Sequence, residues 1–591
     1  MTPFLPPRRE VIPSNGPLIL FTDNFDVIIF SPLDHFYVSL IDFRDGQIEY
    51  GIEGEVEEIP AGTTHRFILA KGKGINATIE YWGEQMRLAA DRARPDRYAD
   101  AGLSYLGYWT DNGAAYYYHH EPGMTEEETL LAVKADADER GIPYGYFQID
   151  SWWYFKEPGF ITPGGLIRWE PQPQMFPDGL AAFQQRLGLP LVAHNRWFAT
   201  ENDYLADYEF VVEKSMALPL HRDMFDHFAA DAASWGIATY EQDWLMSQVT
   251  GLQYLRNGID HADAWIKNMD DAMADRGLTM QICMPGAAHL MDAINRRSWT
   301  TSRTSIDYRA GISKESYWPQ FHTINMLAYA LGVWPFKDNF RTVEKFAEAE
   351  ALIATLSAGM VGNSDFLGLS DADLLARTCR ADGLLLKPDR PAFPIDAMFL
   401  DHQRPYLATT YSRREGLGRW TYLAAYHLAR RHPERSILDK LWGPISYSGL
   451  DPGRMFVFPD HVTDWRVNFI RDLGRGGPLV VYDWRTGEAW AADDGFDLPV
   501  REHLYDFDYF VLAPIFHNGL ALIGEMAKYV TLADKRFASI ETLDDGFRVR
   551  LLGAPGEVVT LAVFDADAGA MLKPFRVTIG GGGEAEADLV R

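Results

Sequence analysis

Three segments decide the fold: WGIATYEQDWL at 235–245, LTMQICMPG at 278–286 and TTSRTSIDY at 300–308. Each contains a short apolar or β-branched run that stops abruptly at a polar residue or at a Pro-Gly pair. The stretch between the first two has apolar residues at helical spacing and closes at Gly277. Strands that alternate with helices are typical of a parallel sheet. The three segments therefore predict consecutive strands of a parallel α/β sheet.

The same alternation extends in both directions and gives eight candidate strands between residues 103 and 364. A helix predicted at 125–141 separates two of them, because it opens with Thr125 and an acidic first turn and ends at Gly141. Eight is the number of strands that closes a (β/α)8 TIM barrel of about 250 residues, so we predict that fold. The candidate strands are 103–109, 143–149, 189–195, 236–242, 278–284, 300–306, 331–337 and 359–364.

Both ends of the chain lack the alternation of strands and helices that is predicted for the middle. Residues 1–98 carry short strand-like runs separated by Gly and Asp turns, which indicates an N-terminal β domain. The catalytic barrel is predicted at 99–440. Runs such as HLYDFDYFVLAPIF at 503–516 indicate a C-terminal antiparallel β-sandwich domain at 441–591. A chain of 591 residues is expected to divide into domains in this way.

Composition restricts the partners of the protein. The net charge of −28, with no dense basic stretch, predicts no binding to nucleic acid or to an anionic membrane. Aromatic residues make up 13% of the chain, and many lie beside the polar strand ends. Flat aromatic faces suit the C–H face of a sugar, although tryptophan is also common core filler. A homo-oligomer is compatible with the sequence.

The cysteines and the N-terminus indicate the compartment. The two cysteines, Cys283 and Cys379, cannot form a disulfide framework or a Cys-rich metal site. The N-terminal residues lack the apolar core of a signal peptide, and no apolar run is long enough to span a bilayer. The histidines at 119–120 lack metal-ligand spacing, and no Gly-rich loop has the context of a phosphate cradle. We expect a soluble cytoplasmic protein without metal or cofactor.

Two aspartates carry the predicted chemistry. Asp243 and Asp307 follow predicted strands, and the carboxyl ends of barrel strands meet at one rim where active sites lie. One carboxylate there can attack an anomeric carbon while the other protonates the departing oxygen, with Arg303 orienting the second. The alternative for each aspartate is that it caps the following helix, because Asp is a preferred N-cap.

Other polar and aromatic residues at predicted strand ends are candidates for substrate binding. Carboxylates would accept hydrogen bonds from sugar hydroxyls, and tryptophans would offer stacking faces. The alternatives are helix capping for Asp150, filling of the barrel for Trp109, and an ordinary hydrogen-bonded position for His194. The candidates are Trp109, Asp111, Asp150, Trp152, His194, Glu241, Arg303 and Asp338.

The order of motifs along the barrel resembles the retaining α-glycosidases of glycoside hydrolase family 36, especially the raffinose synthase and seed imbibition branch. The segment FPDGLAAFQQRLGLPL is also similar to family 31 α-glucosidases and α-xylosidases, whose barrels are related. The motifs that carry the family 36 resemblance are GYWTDNGAAYYY at 107–118, FQIDSWW at 147–153, TYEQDWL at 239–245, 301–338, SAGMVGNSDFLGLSDADLL at 357–375 and YFVLAPIFHNGLALIGEM at 509–526.

The resemblance implies Asp243 as the nucleophile, Asp307 as the acid/base and Arg303 beside the acid. Two positions depart from the family pattern. The family's Lys two positions before the nucleophile is Glu241 here, and the second Asp of its Asp-Asp pair is Ser151. In the family those residues bind galactose hydroxyls, so these departures affect the identity of the sugar more than the chemistry.

We therefore predict a retaining α-glycoside hydrolase, similar to α-galactosidases, that acts on an oligosaccharide or another α-glycoside. Its two carboxyl groups should lie about 5–5.5 Å apart, the separation expected for retention. The sequence leaves three alternatives open: a transglycosidase of raffinose-synthase type, a catalytically silent carbohydrate-binding barrel, and a metal-dependent barrel hydrolase.

Overall fold

The centre of the molecule is a sheet of eight parallel strands. The computed structural model describes residues 11–159, 164–310, 317–400, 405–428, 465–499, 501 and 506–591. In chain order the eight strands are Leu106–Trp109, Tyr146–Ile149, Leu191–Asn195, Ile237–Gln242, Thr279–Ile282, Trp299–Arg303, Trp334–Phe336 and Val361–Asn363. Seven of them lie within candidate strands of the sequence, and the sixth, Trp299–Arg303, begins one residue before its candidate at 300–306.

Neighbouring barrel strands follow the order of the chain. The first seven pair successively, and the eighth pairs with the first. A parallel bridge between Phe340 and Asn363 joins the segment after the seventh strand to the eighth. The predicted fold class, an α/β barrel with flanking β regions, is confirmed.

The barrel strands read as apolar runs because they are buried on both faces. All five residues of Leu191–Asn195 are buried, as are all four of Tyr146–Ile149. Helices cover the outside of a parallel sheet, so both strand faces lose contact with water and tolerate few charges. Polar side chains collect instead at the carboxyl ends, where they remain within reach of a substrate.

The helix predicted at 125–141 is confirmed as Glu126–Arg140. Thr125 and Glu128 form a reciprocal capping box, and Gly141 ends the helix in the left-handed conformation with φ 71°. The other α-helices are Ile75–Ala89, Ala101–Ser104, Gly179–Leu187, Arg222–Ser234, Leu245–Gly251, Tyr254–Asn257, His261–Asp275, Ala287–Asp292, Tyr317–Ala330, Ala347–Leu356, Ala372–Ala376 and Phe469–Leu473, with 3-10 turns at Ala293–Asn295 and Asp396–Phe399.

The N-terminal region consists of antiparallel β-structure. One three-stranded sheet contains Val11–Ser14, Ser39–Arg44 and Gln47–Ile52, and another contains Leu18–Phe21, Asp26–Pro32 and Phe67–Lys73. Short strand pairs beside the barrel are Tyr154–Lys156 with Leu166–Pro171, and Phe210–Val212 with Ala217–Pro219.

The C-terminal region is also antiparallel. Its six-stranded sheet orders Phe393–Pro394, Tyr406–Arg414, Gly418–Tyr426, Phe507–Pro514, Leu479–Asp483 and Ala489–Ala492. The remaining strands are Arg466–Asn468, Gly495–Asp497, Leu520–Glu525, Phe537–Thr542, Gly546–Leu552, Val558–Asp565, Ala570–Met571, Phe575–Thr578 and Glu584–Val590. The predicted boundary at residue 440 lies outside the described residues, and the boundary at residue 98 stays a prediction.

None of the helices in the described ranges is both long enough and apolar enough to cross a lipid bilayer.

Candidate active site

Asp243 lies directly after the fourth barrel strand and is held from two sides. Its backbone N–H donates to the carbonyl of Asn195 at 2.9 Å, which extends the pairing with the third strand. One carboxylate oxygen accepts from the backbone N–H of Trp244 at 2.6 Å. The other oxygen lies 3.2 Å from Nε2 of His194. Trp244 adopts φ 61°, a costly conformation for a tryptophan that places its N–H under the carboxylate.

His194 is fixed on its other side by Tyr154. The Tyr154 hydroxyl lies 2.9 Å from Nδ1 of the imidazole, and the two rings stack with centroids 6.1 Å apart. When Tyr154 donates to Nδ1, the neutral imidazole carries its proton on Nε2 and donates it to Asp243. The histidine is therefore a rigid donor to this carboxylate.

The surroundings of Asp243 favour its ionised form. Burial alone would raise its pKa, but the hydrogen bond from His194, the charge of Arg303 and the nearby thiol of Cys283 reverse this effect. The pKa of Asp243 is held well below its usual range. A buried carboxylate that stays anionic at neutral pH suits nucleophilic attack.

Asp307 lies on the irregular segment that follows the sixth strand, and it is more open to solvent. Its side chain is 36% exposed, whereas that of Asp243 is 12% exposed. Arg303 Nη1 donates to one Asp307 oxygen at 2.7 Å, and Asn112 Nδ2 donates to the other at 2.9 Å. Because Arg303 also lowers the pKa of Asp243, its guanidinium acts on both predicted catalytic carboxyl groups.

The guanidinium of Arg303 also contacts Asp338, whose side chain is buried. Its carboxylate lies 3.4 Å from Arg303 Nη1 and accepts from the backbone N–H of Tyr308 at 2.8 Å. Burial raises the pKa of Asp338 to about 6, against the opposing charge of Arg303. The preceding Lys337 pairs at 2.9 Å with Glu350, and its charge lowers the pKa of Asp338 less than the charge of Arg303 does.

Glu241 and Asp111 form a second acidic pair, deeper in the barrel. Side chains alternate along a strand, so Glu241 points to the same side as Asp243 but one pleat further from the rim. The amide of Gln148 donates to Asp111 at 2.7 Å and to Glu241 at 3.3 Å. The pKa of each acid is raised well above its usual range, first by burial and then by neighbouring carboxylates.

Asp150 is close enough to Asp111 and Glu241 to raise the pKa of both. Its carboxylate accepts a short hydrogen bond from the backbone N–H of Ser151, and its other oxygen lies 4.0 Å from Nε2 of His194. Ser151, which replaces the acid of the resembled family, contacts the hydroxyl of Tyr118 at 3.0 Å. The structure therefore brings Asp150 to the same imidazole as Asp243.

The two tryptophan candidates lie inside the protein. Trp109 is fully buried, donates to the Tyr146 hydroxyl at 2.8 Å and packs edge-on against Phe336. A Cβ at Gly362 would lie 2.2 Å from the Trp109 ring, so the neighbouring strand leaves room for it only as glycine. Trp152 donates to Thr110 and stacks on Phe176. Their predicted sugar-stacking role stays a prediction.

Three residues near the acids were absent from the sequence-based candidates. Gln148 is the inward polar residue of an otherwise apolar strand, which was a usable signal. Asn112 follows Asp111, and only the folded chain shows that it reaches Asp307. Cys283 comes directly after the fifth strand and is close enough to Asp243 to lower its pKa, whereas sequence reasoning weighed it only for disulfides and metals.

Within the described part of the chain, no group of three or more His, Cys, Asp or Glu side chains has an arrangement that could hold a metal ion. The acids of the site instead contact Arg303, His194, Gln148 and backbone N–H groups.

No protein-family model matches the sequence, and neither does any curated protein. Solved structures do match. The galactosidase domain of an α-galactosidase–sucrose kinase aligns with a TM-score of 0.54 and 10% identity, covering 86% of this chain and 71% of that chain.

Two other similar structures have lower TM-scores. A GH27 β-L-arabinopyranosidase from Geobacillus stearothermophilus has a TM-score of 0.43 and 14% identity, covering 73% of this chain and 98% of that chain. An α-N-acetylgalactosaminidase from Bifidobacterium bifidum in complex with GalNAc has 0.41 and 11%, covering 69% and 72%. At 10% identity, the likeness to the galactosidase domain shows a shared fold and nothing finer.

Proposed function

We propose that this protein is a retaining α-glycoside hydrolase, similar to α-galactosidases, that cleaves a terminal α-linked sugar through a covalent intermediate. The observation that carries the proposal is the ionised Asp243, buried at a barrel strand end and joined through Arg303 to the more exposed Asp307. The motif resemblance and the glycosidase fold of the similar structures support the same reading.

In the first step, the Asp243 carboxylate attacks the anomeric carbon while the carboxyl group of Asp307 protonates the glycosidic oxygen. The bond from the anomeric carbon to that oxygen breaks, the leaving alcohol departs, and an ester of inverted configuration forms on Asp243. Hydrogen bonds from His194 and Trp244 orient the attacking carboxylate before the sugar arrives.

In the second step, the Asp307 carboxylate removes a proton from water, and the resulting oxygen attacks the anomeric carbon. The ester breaks, Asp243 returns to its anionic form, and the product keeps the configuration of the substrate. Asp307 alternates between acid and base, and Arg303 and Asn112 hold its two oxygens in place.

The position of Asp307 suits a proton donor that works at the mouth of the site. Its side chain is 36% exposed, so a leaving group that enters from solvent can reach it. Arg303 is shared with Asp338, so its guanidinium is not committed to Asp307 alone.

A panel of aryl α-glycosides with galacto, gluco and xylo configuration tests the proposal. We expect release of the aryl alcohol from at least one of them, with the α-anomer of the sugar as the first product. Addition of an acceptor sugar separates hydrolysis from transglycosylation. Binding without turnover across the panel would contradict the proposal and favour a silent carbohydrate-binding barrel.

A further inference from the structure

The floor of the proposed sugar site, formed by Asp111, Glu241 and Gln148, holds two buried acids whose ionisation is opposed by burial and by neighbouring carboxylates. A negative charge on Glu241 raises the energy of a negative charge on Asp111, and charges on Asp150 and Asp243 have the same effect on Glu241. Arg303 is the cation that opposes this effect, but its guanidinium already contacts Asp307 and Asp338. An additional positive charge placed between these acids would therefore be strongly favoured.

The same region also lacks hydrogen-bond donors. In the described part of the chain, the carboxylate of Glu241 accepts a hydrogen bond from the side-chain amide of Gln148 at 3.3 Å. The same amide nitrogen also donates to Asp111. Asp111 Oδ1 and Gln148 Oε1 are buried acceptors without a hydrogen-bond partner. Buried acceptors in native proteins are normally satisfied, so these oxygens are well placed to accept from donors of a bound ligand.

A third unsatisfied acceptor belongs to the neighbouring strand. Gln281 lies in register with Glu241, is 1% exposed, and its Oε1 also lacks a partner. Neutral amides add acceptors to the group without adding charge, so the shortage of donors does not depend on the acidic cluster alone. Together these oxygens suit a ligand group with several N–H donors and a positive charge.

A protonated amine meets both needs. An ammonium group has three donors, no acceptor and one positive charge, whereas a sugar hydroxyl brings one donor and two acceptor lone pairs. Neutral hydroxyl groups would leave the repulsion between Asp111 and Glu241 in place.

We propose that the substrate of this enzyme is an amino-sugar α-glycoside, whose glycone ammonium group binds against Glu241 and Asp111 on the floor of the barrel. The inference rests on the proposed glycosidase function and specifies its substrate class. Glu241 supplies the charge-matched contact one pleat below Asp243, and Asp111 and Gln148 supply further acceptors.

The test compares 4-nitrophenyl α-galactoside and α-glucoside with the same compounds carrying an amine in place of the hydroxyl at C2, C3, C4 or C6. At pH 7, at least one amino glycoside should be cleaved with kcat/KM about 10-fold or more above its neutral parent, the effect of one charged hydrogen bond. Glu241→Gln should reduce that ratio about 10-fold or more, since it keeps the shape and removes the charge.

Glu170→Gln is the matched control, because Glu170 is a half-exposed glutamate on the strand Leu166–Pro171 and its change should leave the ratio as it is. Thermal unfolding checks that both variants are folded. If the neutral parents are cleaved and every amino glycoside is cleaved no better, the amino-sugar inference is wrong and the glycosidase function stands. If neither group of compounds is cleaved, both are wrong.

Discussion

Glu241 and Asp243 are two residues apart at one strand end, and both are buried. Their surroundings nevertheless stabilise a negative charge on Asp243 and destabilise one on Glu241. Asp243 accepts from His194 and Trp244 and keeps a low pKa. Glu241 receives one long hydrogen bond from Gln148, and burial with neighbouring acids raises its pKa. Burial disfavours charge at both positions, so the donors around each carboxyl group decide which one is anionic.

This contrast divides the site into an upper level for chemistry and a lower level for recognition. The upper level consists of Asp243, His194, Arg303 and Asp307, where charge is matched by donors. The lower level consists of Asp111 and Glu241 with Gln148, where too few donors are present to match the charge of both carboxylates. The following variants either break this division or sharpen it.

Asp307→Ala should give the largest effect among variants that spare the nucleophile. Loss of the proton donor should lower kcat/KM about 100- to 10,000-fold for substrates with a sugar leaving group, the range of general acid catalysis. Substrates with a 2,4-dinitrophenyl leaving group need no proton and should lose far less in the first step. Steady-state kinetics with both leaving groups measures the difference.

The exposed Asp373→Ala is the control for that experiment and should behave as the wild type. An equal loss for both leaving groups would show that Asp307 does not act as the acid.

His194→Phe should have the next largest effect, about 10- to 100-fold in kcat/KM, because it removes a hydrogen bond to a charged group. The pKa of Asp243 should then rise towards its usual range, so activity should be lost at a higher pH as the solution is acidified. The pH dependence of kcat/KM measures that limb. Tyr154→Phe keeps the imidazole and should shift the limb less; an unmoved limb in His194→Phe would contradict the role of the histidine.

Asp338→Asn should change how stability depends on pH. The folded pKa of Asp338 is raised to about 6, so its stabilising contribution is complete below the unfolded value of about 3.9 and is lost as pH rises through about 6. From pH 4 to pH 7 the wild type should therefore lose on the order of 1–3 kcal/mol of unfolding free energy relative to Asp338→Asn.

Denaturant unfolding of both proteins at pH 4 and pH 7 measures that difference. A constant difference between them at the two pH values would show that Asp338 does not titrate in this window.

The smallest expected effects are two changes in unfolding free energy that have opposite signs, although the two substitutions lie at the end of one strand. Near neutral pH, Glu241→Gln should raise the unfolding free energy by about 1 kcal/mol, because it replaces a buried, poorly compensated carboxyl group. Asp243→Asn should lower it, since the depressed pKa of Asp243 contributes stability at pH values above the unfolded pKa. Equal signs in denaturant unfolding would contradict the division into two levels.

Much of the barrel was predictable because its strands are buried on both faces and read as apolar runs. The observed strands are shorter than the predicted ones: the fifth spans Thr279–Ile282 within the predicted 278–284. Strand ends depend on where the backbone of the neighbouring strand stops pairing, and a single sequence does not contain that information. The helix after Thr125 was predictable because its cap and its stop are local.

The site was less predictable, since its contacts join distant parts of the chain. Asp243, His194 and Asp150 were chosen at strand ends, and the structure brings them together. The exposure of Trp109 and Trp152 depends on Tyr146, Phe336 and Phe176, which no local pattern relates to them. For the same reason the sequence did not show that Gln148 joins Asp111 to Glu241.

The most direct test of the central claim is Asp243→Ala, assayed with the aryl α-glycoside that the wild type cleaves fastest, in the absence and presence of sodium azide. The proposed mechanism predicts a folded protein whose turnover falls by about 1,000-fold or more. Azide should partly restore it by occupying the space of the lost carboxylate, and the product should be the β-glycosyl azide. Turnover like that of the wild type, or an azide product of α configuration, would contradict the assignment of Asp243 as the nucleophile.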